Sequence, residues 1–425
     1  MADSDDPISP RLMLLQKELE AGNLGALKEF WHEVAASGTP LIEPMEDDSE
    51  HRLVTLLWRA EDELTGISVV SLLTDQVVNK MTRMLETDLW YFTCQARSDL
   101  RLTYQLELRR PDDEPVEGND YAALLARFSK MKHDPFNPRT FVFEKDEEDP
   151  ESFELVRSVL ELPQAPLQPW IEQREGVPRG KVELYRLRSD ILDNQRRVWV
   201  YTPPDYAPAK SEPYTLLVLF DGRAYVNHVP TPIILDNLVD AGLIQPVVAV
   251  FPDSISSSMR LQELVLHPPF NEFLAKELIP WIRLNFHVTG DPEKTVIGGA
   301  SAGGLAAAYA AMEHSDIFGN VISQSGAFSF GKPGTEGYEW LTQQYAAKEK
   351  LPLKFYLDAG SLETKSLRPI GDAPNLLEAN HNFRTVLEDE GYSVHYHEFS
   401  GGHDYVAWRG TFADGLLALL ESSSH

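Results

Sequence analysis

From residue 196 to residue 402, short apolar runs of strand length alternate with stretches of helical periodicity. The runs are RRVWVYTPP (196–204), YTLLVLFDG (214–222), PVVAVFPD (246–253), TVIGG (295–299), LKFYLDAG (353–360) and SVHYHEFSGG (393–402). Between them lie NEFLAKELIPWIRLNF (271–286), GLAAAYAAMEH (304–314) and LLEANHNFRTVLEDEG (376–391). Strands separated by helices cannot pair as tight hairpins, so the alternation predicts an α/β fold: a mostly parallel sheet with helices on both faces.

The first part of the chain is patterned differently. Residues 12 to 37 carry apolar positions at helical spacing and read as one or two short helices. RLVTLLWRA (52–60), ISVVSLL (67–73), DLWYFTCQA (88–96) and LRLTYQLEL (100–108) are short, β-branched or aromatic, and separated by charged turns. They predict a small β-sandwich that ends near the acidic loop at 109–120. From 134 to 179 the chain is rich in proline, which disfavours helix and central strand and reads as a wrapping linker. The organisation expected is helices plus a β-sandwich over 1–150, a linker over 151–180, and an α/β domain over 181–425.

Composition narrows the function. Sixty-six acidic against thirty-eight basic residues give a formal net charge of −28. That field repels nucleic acid and anionic membranes, so neither is an expected partner. The start, MADSDDPISPRLM, lacks the basic and apolar stretches of a signal peptide, and no apolar run reaches membrane-spanning length, which predicts a soluble cytoplasmic protein. The single cysteine, Cys94, reads as buried filler and excludes an intramolecular disulfide framework or multi-cysteine metal site. His395 and His397 lie at i, i+2 on one strand face, but two ligands without a third are weak support for a metal. No phosphate-binding or dinucleotide-binding glycine motif occurs.

One motif carries chemistry. Gly299-Ala300-Ser301-Ala302-Gly303 has the G-x-S-x-G form of a nucleophile elbow and lies between the strand-like TVIGG and an alanine-rich helix. Gly304 adds room for close helix–strand packing, whereas Ser323 and Ser325 lack the glycine frame and read as caps or filler. A serine hydroxyl needs a base and an orienting acid downstream, in the order Ser, Asp/Glu, His. His403 follows a strand and the Gly401-Gly402 pair, where the loop must fold back over the sheet edge. Glu363, on the loop beyond LKFYLDAG, is favoured as the acid over Asp358 within the strand; Asp404 reads as a local loop cap. The oxyanion donors expected are the backbone N–H groups of Ala302 and, from the turn after YTLLVLFDG, Arg223.

These residues sit among others that together resemble the enterochelin (enterobactin) esterases of bacterial iron uptake. DPFNP (134–138), LELPQAPLQPW (160–170), RRVWVYT (196–202), LFDG (219–222), Arg260-x-x-Glu263-Leu264, GGASAGGL (298–305), FGNVISQSG (318–326), LDAGSLE (357–363) and GGHDYVAWRG (401–410) appear in the family's order. The resemblance implies an immunoglobulin-like sandwich helping to cover the active site of an α/β-hydrolase domain. It also implies Ser301 as nucleophile, His403 as base and Glu363 as acid, in hydrolysis of catecholate trilactones of acylated serine. No cofactor is expected, since iron would arrive with the substrate, and the oligomeric state is left open. Recognition of so anionic a ligand calls for arginines, for which Arg223, Arg260, Arg368 and Arg409 are candidates, with Tyr225 and Trp408 as stacking surfaces. After ISQSG the chain departs from the family's paired tryptophans and basic residues with AFSFGKPG, where Phe328, Phe330 and Lys332 are the expected replacements. The rival readings are a carbohydrate or feruloyl esterase whose sandwich binds glycan, and a non-catalytic siderophore binder.

Overall fold

The computed structural model describes residues 8–113, 121–209, 211–365 and 371–421. Two helices open the chain, Pro10–Glu20 and Gly25–Ser37. The first begins at Ser9, whose hydroxyl accepts the Leu12 amide at 3.1 Å, with Pro10 in the first helical position, where its missing N–H costs nothing. Leu12, Leu15, Phe30, Trp31 and Val34 pack against Leu57, Met84 and Leu89 of the following sheet.

Nine strands follow: β1 (Leu41–Met45), β2 (Asp48–Arg59), β3 (Gly66–Val70), β4 (Val78–Lys80), β5 (Thr82–Arg83), β6 (Leu89–Arg97), β7 (Arg101–Arg109), β8 (Thr140–Phe143) and β9 (Leu155–Glu161). They form two antiparallel sheets, ordered β1-β2-β6-β5 and β4-β3-β7-β9-β8, closing on a core that includes Val54, Leu56, Trp90, Leu102, Tyr104 and Leu160. Cys94 lies in that core, and burial pushes its thiol up to about 12, so it is inert filler. The linker is shorter than expected. β8 and β9 occupy proline-free windows inside the proline-rich stretch, and β9 pairs with β7 and β8, so the connection without regular structure begins only at 162.

The remaining strands are β10 (Lys181–Ser189), β11 (Asn194–Thr202), β12 (Thr215–Leu219), β13 (Val247–Pro252), β14 (Thr295–Ala300), β15 (Asn320–Gln324), β16 (Lys354–Gly360) and β17 (Ser393–Phe399). They build one sheet in the order β10-β11-β13-β12-β14-β15-β16-β17. β10 and β11 run antiparallel, and every pairing from β13 onward is parallel. One face is covered by helices that include Ala302–Glu313 and Leu376–Asp389, the other by Thr231–Asp240 and Tyr405–Leu420. The expected mostly parallel sheet with helices on both faces is what the chain forms. The helix expected over 271–286 takes a π-helical turn at Leu274–Leu278 just before Pro280, which has no amide to offer the preceding turn. Among the described residues no helix is long and apolar enough to cross a membrane.

Candidate active site

β14, β15, β16 and β17 are adjacent and parallel, so the loops after their carboxyl ends gather at one sheet edge. Ser301 follows β14 directly, with φ 59° and ψ −120°, a conformation that costs a residue with a Cβ about 1–3 kcal/mol. The turn is held on both sides. The Ser301 amide donates to the Gln324 carbonyl at 2.8 Å, and its carbonyl accepts from Leu305 at 3.2 Å and Ala327 at 3.0 Å. Close approach requires glycine at two of these positions: a Cβ on Gly299 would stand 2.8 Å from the Gly303 backbone, and one on Gly304 would stand 2.3 Å from Ser323 Oγ, whereas one on Gly303 would make only ordinary contact, 3.4 Å from Asp221 Oδ2. Ala302 opens the helix Ala302–Glu313, so its N–H belongs to the first turn, which has no intrahelical acceptor.

His403 lies on the loop after β17. Its Nδ1 is 3.3 Å from Oε1 of Glu363, whose side chain has no exposed surface, and the ring meets Trp408 edge-on at 4.8 Å. Among the described residues no hydrogen bond joins Ser301 Oγ to His403. Asp358, the alternative acid, is committed elsewhere. It accepts the Ser325 amide at 3.1 Å and Gln324 Nε2 at 3.3 Å, and full burial pushes its pKa up to about 7. Asp404 does cap the helix Tyr405–Leu420, accepting the Val406 amide at 3.2 Å. Its other oxygen accepts both the amide (2.8 Å) and the hydroxyl of Thr103, from β7 of the sandwich, a partner no sequence pattern announces.

The Gly401-Gly402 pair is needed for a reason other than backbone freedom, since neither residue has a positive φ. A Cβ on Gly401 would lie 2.8 Å from the Arg101 carbonyl, and one on Gly402 would lie 2.8 Å from Leu72 Cδ1. The sandwich presses against this loop.

Two family models cover most of the chain: "Putative esterase" matches residues 189–419, and "Enterochelin esterase, N-terminal" matches residues 53–171. The chain belongs to the enterochelin esterase family. As a member of that family it is a carboxylic ester hydrolase. It is 28% identical over 354 residues to an iron(III) enterobactin esterase of Escherichia coli, covering 81% of this chain and 82% of that one. It is also 28% identical to an iron(III) salmochelin esterase of Escherichia coli, covering 95% and 96% of the two chains. Among solved structures, the ferric enterobactin esterase of Salmonella typhimurium superposes with a TM-score of 0.74 at 26% identity, covering 92% of this chain and 98% of that one. The Shigella flexneri enterobactin esterase, solved in the presence of enterobactin, gives 0.72 at 27% identity, covering 92% and 97%.

In this enterochelin esterase family member several expected ligand-facing residues are already engaged. The Arg223 amide donates to Asp253 Oδ1 at 3.3 Å rather than standing open for an oxyanion, and its guanidinium binds the carbonyls of Glu144 and Lys145. Arg260 grips Asp221 through two 2.6 Å bonds and reaches the Ala300 carbonyl at 3.4 Å, bracing the turn beside the elbow. Arg409 is partly buried, bonded to Gln168 at 2.8 Å, and desolvation lowers its pKa. Tyr225 and Trp408 are core residues rather than stacking surfaces. Tyr225 bonds Gln324 at 2.8 Å and Trp408 bonds Ser325 Oγ at 2.9 Å, both out of solvent because their rings fill the space between sheet and helix. Phe328 likewise stacks at 4.0 Å on Phe383 in the core, and Lys332 lies 5.0 Å over Trp340. Arg368 lies outside the described residues. A cleft of about 220 Å3 adjoins Asp221 and Arg260, lined also by Phe143, His228, Tyr405 and Asp253.

Proposed function

We propose that the chain is a serine esterase that opens the ester bonds of a catecholate trilactone siderophore through an acyl-serine intermediate. The observation that carries the chemistry is the buried Glu363 carboxylate on His403 Nδ1, at the same sheet edge as the strained Ser301 turn. A carboxylate there favours the tautomer with its proton on Nδ1, leaving Nε2 free to take the Ser301 hydroxyl proton. The serine oxygen then adds to the ester carbonyl. The resulting oxyanion is held by the Ala302 amide, in the first turn of the helix that follows Ser301, and by an amide of the Asp221–Gly222 turn. His403 returns the proton to the departing serine alkoxide of the substrate, and water repeats the sequence to free the acid. No metal takes part in these steps, and ferric iron enters and leaves as cargo of the substrate. Ester cleavage inside the cell would weaken the three-armed chelate and let the iron go.

Supporting the substrate class, relatives aligned over most of their length carry the names iron(III) enterobactin and iron(III) salmochelin esterase. The test is incubation with ferric and iron-free forms of several trilactone siderophores, with products identified by mass. Linear and monomeric dihydroxybenzoyl-serine fragments are expected, and none with Ser301→Ala. Cleavage of feruloyl or acetyl sugars with the trilactones untouched would replace this substrate, and unchanged turnover by Ser301→Ala would remove the nucleophile.

A further inference from the structure

The loop that carries His403 is anchored by the sandwich as well as by its own domain. Ser400 accepts the Arg101 amide at 3.2 Å, and Arg101 and Gly401 form a parallel bridge. Gly401 in turn accepts the amide of Leu362, the residue before Glu363, at 3.0 Å, and Leu362 packs its side chain against the sandwich core. The tightest link is Thr103 to Asp404. Both residues are buried, and one carboxylate oxygen takes two donors from a single residue 301 positions away.

A helix cap needs one carboxylate oxygen, and Val406 occupies it. The second oxygen does something a cap does not require. A loop of two glycines before the histidine has many conformations to lose, and ionised acceptors make the stronger hydrogen bonds that select one of them. β7 is a firm reference for that choice, because Arg101–Tyr104 pair with β9 and Gln105–Arg109 with β3, and Thr103 is itself buried.

We propose that Thr103 is a positioning residue for His403: through Asp404 it fixes the imidazole against Glu363, so that the N-terminal sandwich completes the catalytic apparatus of the esterase domain. This rests on the reading of Ser301 and His403 above, and not on the siderophore.

The experiment therefore uses a small activated ester, p-nitrophenyl butyrate, with rates expressed per folded protein. Thr103→Val removes the hydroxyl and keeps the shape. It is expected to lower kcat about tenfold with KM within about twofold, since small displacements of reacting groups act on the chemical step. Thr103→Ser, which restores the hydroxyl, is expected to return kcat to within about twofold of the parent. Asp404→Asn keeps a competent cap and covers the case in which Thr103→Val fails to fold; it too is expected to lower kcat and spare KM. Parental kcat in Thr103→Val, or in Asp404→Asn where Thr103→Val does not fold, or an equal loss in Thr103→Val and Thr103→Ser, overturns the proposal. Ser301→Ala on the same ester separates the two readings. If it is inactive while Thr103→Val is unaffected, the clamp alone falls; if it is active, the nucleophile reading falls with it.

Discussion

Glu363 holds one carboxylate oxygen 3.3 Å from Nδ1 of His403, while its other oxygen, equally buried, meets no hydrogen-bond partner among the described residues. Burying a carboxylate so poorly satisfied is costly for folding, and the histidine contact is the feature that gives it a use. Glu363→Gln is expected to lower kcat by about 10^3 to 10^4 with little change in KM, while thermal stability holds or rises because a buried charge is removed. Steady-state kinetics beside a melting curve checks it.

Asp358 makes stability depend on pH. Burial raises its folded pKa from the ordinary 3.8 to about 7, so between these values the unfolded chain binds fewer protons than the folded one. This group therefore favours the folded state most below about pH 4, and that contribution is lost as pH rises toward 7. Asp358→Asn is expected to flatten this decline, an effect on the order of a few kcal/mol, in urea titrations run across that window.

Arg196 and Glu263 form a doubly bonded pair, 2.6 and 3.0 Å, with side chains 1% and 3% exposed. Glu263→Ala would strand a buried guanidinium and is expected to cost about 3–5 kcal/mol of unfolding free energy. The double change Arg196→Met with Glu263→Leu is expected to recover most of it, as measured by chemical denaturation.

Gly401→Ala would drive a Cβ to 2.8 Å from the Arg101 carbonyl, which is backbone and cannot swing aside. The loop must back away from the sandwich, so both the melting temperature and kcat are expected to fall. A Gly66→Ala control, where a Cβ meets nothing within 4 Å, is expected to leave kcat unchanged.

Salt should act on substrate capture. With a formal net charge of −28, and with Arg260 held by Asp221, the field opposes an anionic ferric complex. Raising NaCl from about 20 to about 200 mM is expected to increase kcat/KM for the ferric substrate, because screening shortens the reach of that field. A decrease would point to basic residues gathered at the site entrance.

Much of this was legible in the chain. Short apolar runs alternating with helical patterns marked the parallel sheet, and the glycine-framed serine between a strand and a helix marked the elbow. Glu363 and His403 followed from strand ends, since parallel neighbours must deliver their loops to one edge. Arg260-x-x-Glu263 and RRVWVYT stood out as well, although Glu263 and Arg196 prove to be partners in the core.

The ligand-facing assignments were not legible in the same way. Tyr225, Trp408 and Phe328 are apolar and aromatic whether they line a pocket or fill a core, and only packing distinguishes the two. Arg223 was chosen as an oxyanion donor from its place after a turn, but the direction of an N–H depends on local dihedrals, and Asp253, thirty positions on, receives it. β8 and β9 were hidden by flanking prolines that lie just outside them.

By itself, then, the amino-acid order determined the α/β architecture, the tight turn at Ser301 and the placing of Glu363 and His403 on loops at one sheet edge, because these rest on local periodicity and on short-range sterics. Only the tertiary structure decided that β7 of the sandwich grips the histidine loop through Thr103 and Asp404. That contact joins residues 301 positions apart, and nothing in the spacing of a threonine and a distant aspartate specifies it until the two surfaces meet.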